Sequence, residues 1–82
     1  MTVTVLSKPS CVQCTATYRR LDAEGVEYKV DDIYTHMELI KNLGYMAAPV
    51  VLIYDEDGEL SNHWSGFRPD YVEELALTLK AA

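Results

Sequence analysis

Two cysteines, Cys11 and Cys14, are the only thiols in the 82-residue sequence, and they follow an apolar, strand-like segment. If a helix begins here, this spacing places both thiols on one face, close enough to form a small disulfide ring and to open it again. A helix N-terminus stabilises a thiolate through its free N–H groups and its dipole. The sequence therefore predicts a reversible dithiol, in which Cys11 is the exposed nucleophile and Cys14 is the shielded resolving thiol.

The residues beside the cysteines fit this chemistry. Ser10 is a favourable N-cap, and Gln13, three positions later, would complete a capping box. We therefore expect the helix to begin at or beside Cys11. The cation of Lys8, three positions upstream, is expected to favour the thiolate further. Val12 and Gln13 lie between the two cysteines, and both are also expected to support the site.

A zinc site and a permanent structural disulfide are the two alternatives for the cysteine pair. A zinc site would need further ligands, and His36 and His63 are candidates, but their spacing is not that of a zinc finger and the sequence has no second CxxC pair. A structural disulfide would close a very small loop, and domains stapled by disulfides usually contain more cysteines. A reversible dithiol without a bound metal or cofactor is the leading hypothesis.

The composition indicates one small globular domain spanning residues 1–82. No stretch has the length and hydrophobicity of a membrane span, and the N-terminal residues do not resemble a secretion signal, so we expect a cytoplasmic protein. In a reducing compartment, a CxxC pair is more often catalytic or metal-binding than structural. The net charge of −6 argues against nucleic-acid binding.

The apolar patterns predict an α/β fold in the order β-α-β-α-β-β-α, with a four-stranded mixed sheet flanked by three helices. The first two strands are expected to be parallel, since a helix connects them. Thr35 and Glu38 are expected to form a second capping box, and Gly44 is expected to end the helix that follows. The predicted elements are strand 2–6, a helix from Cys11 to Glu24, strand 26–30, a helix from Thr35, strand 49–53, strand 59–65 and a helix from Pro69.

The order of these elements and two motifs resemble a known family. A CxxC pair after the first strand and an Ala48-Pro49-Val50 run before the third resemble the thioredoxin superfamily and its glutaredoxin-sized members. Residues 8–14, KPSCVQC, and residues 64–70, WSGFRPD, narrow the resemblance to the NrdH redoxins. These are glutaredoxin-like proteins that thioredoxin reductase reduces, with electrons from NADPH, and that pass electrons to class Ib ribonucleotide reductase.

The resemblance implies roles that the residues alone do not indicate. Pro49 would be a cis proline packed beside the dithiol, although most X–Pro bonds are trans, and the backbone of Ala48 would pair with an extended partner segment. The implied partners are thioredoxin reductase and the large subunit of class Ib ribonucleotide reductase, and we expect a monomer. Residues expected to form or support a docking surface near Cys11 are Trp64, Ser65, Gly66, Phe67, Arg68 and Asp70.

The residues at these positions also fit a simpler structural role, and the function has alternatives. Trp64 would fill the core, Gly66 would permit a turn and Pro69 would begin the last helix. Glutathione-dependent glutaredoxins resemble this chain less, because they typically carry CPYC and a Gly-Gly-x-Asp stretch, and a metal-binding module is a third candidate. Family members commonly carry Tyr where Leu6 stands, and the acidic hairpin 54–60 is longer than usual, so the exact partners stay open.

Overall fold

A computed structural model of the protein describes residues 1–81. The strands and helices follow the predicted order, with a short 3-10 helix before the second α-helix. The elements are β1 (Thr2–Ser7), α1 (Val12–Ala23), β2 (Lys29–Asp32), the 3-10 helix (Ile33–His36), α2 (Met37–Leu43), β3 (Val50–Tyr54), β4 (Leu60–Ser65) and α3 (Pro69–Ala81). Within the described residues, no helix is both long enough and apolar enough to cross a membrane.

The strands form one mixed sheet in the order β2-β1-β3-β4. The β1 and β2 strands are parallel, as the strand-helix-strand pattern predicts, whereas β3 runs antiparallel to both β1 and β4. Val50, at the start of β3, pairs with Leu6 on one side and with Ser65 on the other. This register brings the end of β1, the start of β3 and the end of β4 together at one end of the sheet.

Both faces of the sheet are covered, which explains the continuous apolar run of β3. One face packs against α1 and α3, where the buried residues are Val3, Val5, Leu21, Val26, Val51, Ile53, Trp64, Val72, Leu75 and Ala76. The opposite face packs against the 3-10 helix and α2, where they are Leu6, Cys14, Ile33, Ile40, Ala48, Val50 and Leu52. Consecutive β3 residues therefore point into different cores, and the prediction of a strand buried on both faces is confirmed.

The second strand and the second helix begin later than predicted. Strand β2 starts at Lys29 rather than Val26, and Val30 is 54% exposed, because this edge strand pairs with β1 alone. The expected capping box at Thr35 is also wrong: the Thr35 hydroxyl donates to the carbonyl of Asp32 (2.8 Å) within the 3-10 helix, and α2 begins only after it. The predicted end of α2 at Gly44 is confirmed, with the left-handed φ of +79° typical of a C-cap glycine.

The buried position of α1 against the sheet generates a stability prediction. Leu21 of α1 is fully buried in the core that this helix forms with α3 and the sheet, whereas Leu77 of α3 is 63% exposed. We expect Leu21→Ala to lower the free energy of unfolding by about 2–5 kcal/mol, because it removes buried methyl groups and leaves a cavity. Leu77→Ala should change it by less than about 0.5 kcal/mol. Urea denaturation of the two variants compares them directly, and equal losses would contradict the packing described.

Candidate active site

The dithiol lies at the end of the sheet where β1 runs into α1. Cys11 and Cys14 are joined by a disulfide, with their Cα atoms 5.2 Å apart. Cys11 is half-buried, whereas Cys14 is only 1% exposed and contributes to the core on the α2 side of the sheet. The Cys11 sulfur is therefore more accessible to another protein than the Cys14 sulfur, as the sequence predicts.

Cys11 caps its own helix, which corrects the expectation for Ser10. The backbone of Cys11 is extended (φ −102°, ψ 104°), and its sulfur accepts a hydrogen bond from the N–H of Cys14 at 3.1 Å. Ser10 has a φ of +57°, in the left-handed region, so it does not have the extended conformation that an N-cap requires. The helix start thus places the Cys11 sulfur, instead of a serine oxygen, on the free N–H groups.

Gln13 does not close a capping box either, because its side chain bonds to a distant loop. Its Oε1 accepts a hydrogen bond from the N–H of Phe67 at 3.0 Å, 54 residues further along the chain. The N–H of Gly66 donates to the carbonyl of Pro49 (2.8 Å), and the Ser65 hydroxyl donates to the carbonyl of Ala47 (2.7 Å). These contacts join the dithiol turn, residues 65–67 and the segment before β3 into one unit.

The Ala48–Pro49 peptide bond is cis, which is the geometry that the resemblance implies. Ala48 is 8% exposed, and the Pro49 side chain is fully buried at the start of β3. Met46, two residues before Ala48, is completely exposed. We refer to residues 45–49 as the cis-proline segment; Ala48 and Pro49 are buried next to the sheet, whereas Met46 and Ala47 are exposed.

Lys8 and Val12 lie on the exposed side of the dithiol. An open groove of about 410 Å³ runs beside the disulfide, lined by Lys8, Cys11, Val12 and Thr15 among others. Val12 is 84% exposed, although it is aliphatic. Cys11 is thus flanked by one cation and one exposed apolar side chain.

The structure divides the stretch 64–70 into buried and exposed residues. Trp64 is 4% exposed and packs against the ring of Tyr71, so its side chain fills the core. Phe67 is 37% exposed. The guanidinium of Arg68 donates two hydrogen bonds to the carboxylate of Asp70 (3.2 and 2.9 Å) and lies 4.1 Å from the centre of the Tyr71 ring.

The two histidines bond to groups other than the cysteines. His36 Nε2 lies 2.8 Å from a carboxylate oxygen of Asp31, and His63 Nδ1 lies 2.6 Å from the hydroxyl of Tyr45. Among residues 1–81, no group of three or more His, Cys, Asp or Glu side chains is arranged to hold a metal ion.

Sequence reasoning missed the residues that hold the cis-proline segment. The Tyr45 hydroxyl is hydrogen-bonded to His63 of β4, and the carbonyl of Ala47 accepts a hydrogen bond from the hydroxyl of Ser65. The segment is therefore bonded to strand β4 at two positions. Each pair is separated by 18 residues in sequence. No local pattern signals such contacts, and only the pairing of β3 with β4 brings the partners together.

This fold and dithiol are those of a thioredoxin-superfamily protein, a class of dithiol–disulfide oxidoreductases. The family model for glutaredoxin matches residues 3–58, a segment that contains the dithiol and the cis-proline segment. The chain belongs to the glutaredoxin family, and within it to the NrdH-type glutaredoxin-like redoxins.

Individual relatives support this placement over nearly the full length of the chain. The glutaredoxin-like protein NrdH of Salmonella typhimurium is 36% identical, over 100% of this chain and 98% of its own length. The NrdH protein of Escherichia coli K12 is also 36% identical, over 92% of this chain and 89% of its own. The solved structure of NrdH-redoxin from Escherichia coli matches with a TM-score of 0.78 at 31% identity, covering 92% of this chain and 95% of the other.

Two surface carboxyl groups at this end of the sheet have lowered pKa values. The hydrogen bonds from Arg68 lower the pKa of Asp70, and the hydrogen bond with His36 lowers the pKa of Asp31. A carboxyl whose pKa is lower in the folded chain stabilises the fold above its unfolded value of about 3.9. This stabilisation is lost as the pH falls through the folded value.

Asp70→Asn should therefore lower the melting temperature slightly at pH 7, and the difference from the parent protein should disappear as the pH falls through the lowered pKa of Asp70. The Asp70 carboxylate is exposed, so the stabilisation that its charge gives is small. Glu56→Gln, in the exposed hairpin turn, is the control for removal of one negative charge. Thermal unfolding of the three proteins across pH 2–7 measures the effect. A difference that stays constant over this range would show that Asp70 does not stabilise the fold through its charge.

Proposed function

We propose that this chain is a cytoplasmic dithiol carrier of one domain, active as a monomer. It receives two electrons from NADPH through thioredoxin reductase and passes them to the large subunit of class Ib ribonucleotide reductase. The observation that carries the dithiol exchange is the unequal placement of the two sulfurs, with Cys11 half-buried on the helix cap and Cys14 within the core. The choice of partners is supported by the similarity to NrdH proteins. The chain's own two thiols hold the electrons between the partners, without a bound cofactor.

In the first step, the Cys11 thiolate of the reduced protein attacks one sulfur of the partner disulfide. A new sulfur–sulfur bond forms, the partner disulfide breaks, and the second partner sulfur leaves as a thiolate that takes up a proton. In the disulfide form, the N–H of Cys14 points to the Cys11 sulfur at 3.1 Å. We expect the same helix N-terminus to stabilise the Cys11 thiolate once the disulfide is reduced.

In the second step, Cys14 resolves the mixed disulfide. Its thiolate attacks the Cys11 sulfur, the internal disulfide forms, and the partner leaves as a dithiol that has gained two electrons. Cys14 is one helical turn from Cys11 and 1% exposed, so it reaches the Cys11 sulfur without competing for the partner disulfide. Thioredoxin reductase then returns two electrons to the internal disulfide.

The surface around Cys11 suits docking on another protein. Val12, Met46 and Phe67 are exposed apolar side chains on three segments that the hydrogen bonds around the dithiol join. The backbone of Ala48, beside the cis bond, is the proposed pairing site for an extended partner segment. The overall charge of −6 favours partners with a basic docking surface.

The relatives support thioredoxin reductase over glutathione as the source of electrons. The solved Escherichia coli relative is described as a glutaredoxin-like protein with a thioredoxin-like activity profile. The chain also has Val12 and Gln13 between its cysteines, and Gly66 and Phe67 before the last helix, where glutathione-dependent glutaredoxins typically differ.

The oxidised protein should therefore support NADPH oxidation with thioredoxin reductase and a disulfide acceptor. The same assay with glutathione and glutathione reductase should give turnover at least about tenfold slower. NADPH absorbance at a fixed protein concentration measures both arms, with each arm lacking the chain as its control. Turnover with glutathione alone would replace the proposal by a glutathione-dependent glutaredoxin.

Single cysteine variants should separate the two steps. Cys14→Ser should accumulate a covalent mixed disulfide with the large subunit of class Ib ribonucleotide reductase, because the resolving sulfur is missing. Cys11→Ser should form no such adduct, because Cys14 is buried. Non-reducing electrophoresis with mass spectrometry detects the adduct. An adduct through Cys14 of the Cys11→Ser variant would reverse the assignment of nucleophile and resolving thiol.

A further inference from the structure

The side chain of Gln13 lies at the dithiol but does not cap the helix. The Cys11 sulfur accepts the N–H of Cys14 at the helix start, and Ser10 is in the left-handed conformation. The amide of Gln13, which is exposed, instead points to the loop between β4 and α3 and accepts the N–H of Phe67 at 3.0 Å. A residue inside the disulfide ring thus fixes the backbone of a loop residue 54 positions away.

The adjacent residue is suited to this contact. Gly66 has a φ of +83°, and a Cβ added there would lie 3.2 Å from the Oε1 of Gln13. The absence of a side chain at Gly66 therefore lets the amide oxygen approach the loop. The N–H of Gly66 bonds in turn to the carbonyl of Pro49 (2.8 Å), so that the loop is held from the dithiol on one side and from the cis proline on the other.

The loop residue that Gln13 holds is an exposed aromatic side chain. Phe67 is 37% exposed, and Val12, next to Gln13, is 84% exposed. Ordering a free loop on association costs conformational entropy, and a loop that is already ordered avoids this cost. A contact that orders the loop before the partner arrives should therefore affect association with the partner more than the exchange of sulfurs.

We propose that Gln13 is a positioning residue for partner docking, whose amide oxygen holds the backbone of Phe67 and so presents the Phe67 ring beside Cys11 to thioredoxin reductase. The proposal deepens the proposed function and rests on it for the identity of the partner. Gln13 takes no part in the exchange of sulfurs, and its contribution belongs to binding.

Two variants of similar size separate the hydrogen bond from the bulk of the side chain. Gln13→Met keeps the length but has no acceptor of comparable strength, whereas Gln13→Glu keeps an acceptor oxygen. With thioredoxin reductase and NADPH, we expect Gln13→Met to raise the KM for the oxidised protein by about three- to tenfold with kcat within twofold. Gln13→Glu should stay within twofold of the parent protein in both constants. Equal KM values for Gln13→Met and the parent, or a loss confined to kcat, would overturn the proposal.

A cycle with Phe67→Ala tests whether Gln13 acts through Phe67. If it does, Gln13→Met should raise KM by less than twofold in the Phe67→Ala background, although it raises KM severalfold in the parent. Full additivity of the two changes would overturn the proposal. The rate of reduction by dithiothreitol, which needs no docking surface, should agree within twofold among the parent protein, Gln13→Met and Phe67→Ala, since none of these changes adds a charge beside the cysteines.

Amide hydrogen exchange at Phe67 gives a readout that does not depend on any partner. Exchange of the Phe67 N–H should be faster in Gln13→Met than in the parent and in Gln13→Glu, while exchange in the buried strand β3 stays unchanged. Equal exchange at Phe67 in the parent and in Gln13→Met would overturn the positioning role. If thioredoxin reductase does not reduce the parent protein, the proposed function fails, and this exchange measurement still decides whether Gln13 holds the loop.

Discussion

The hydrogen bond from the backbone N–H of Cys14 to the sulfur of Cys11 is the interaction on which the rest of the site depends. It makes Cys11 the N-cap of α1, so the sulfur lies on the free N–H groups of the helix instead of inside its first turn. The disulfide joins the two cysteines across one helical turn, with Cys11 partly exposed and Cys14 buried. The difference in exposure between two chemically identical thiols thus follows from where the helix begins.

The sheet brings the other parts of the site to that helix start. Because Val50 pairs with both Leu6 and Ser65, the cis-proline segment and the loop after β4 emerge at the same end of the sheet as the dithiol. Strand β3 is buried on both faces, so Ala48 and Pro49 at its start cannot shift without disturbing the packed core. The loop after β4 lies outside these cores and is held by its hydrogen bonds to Gln13 and Pro49.

Much of the fold could be predicted from the sequence because its signals are local. The apolar run of β3, the glycine that ends α2 and the proline that begins α3 all act within a few residues. The helix cap was harder to predict, since Ser10 and Cys11 both carry side chains that can accept a hydrogen bond. The contacts of Gln13 and His63 could not be predicted, because their partners lie 54 and 18 residues away and only the folded sheet brings them together.

Membership of the glutaredoxin family and the match to NrdH-type relatives agree with this geometry. We infer from the exposure of the two sulfurs that Cys11 is the attacking thiol and Cys14 the resolving thiol, and the relative reactivity of the two thiols is the direct test. The reduced protein is alkylated with iodoacetamide at pH 7, and peptide mass spectrometry follows each cysteine over time. Cys11 should be modified at least about tenfold faster than Cys14, because a thiolate must be both stabilised and accessible to react. Equal rates, or faster modification of Cys14, would contradict this division of roles.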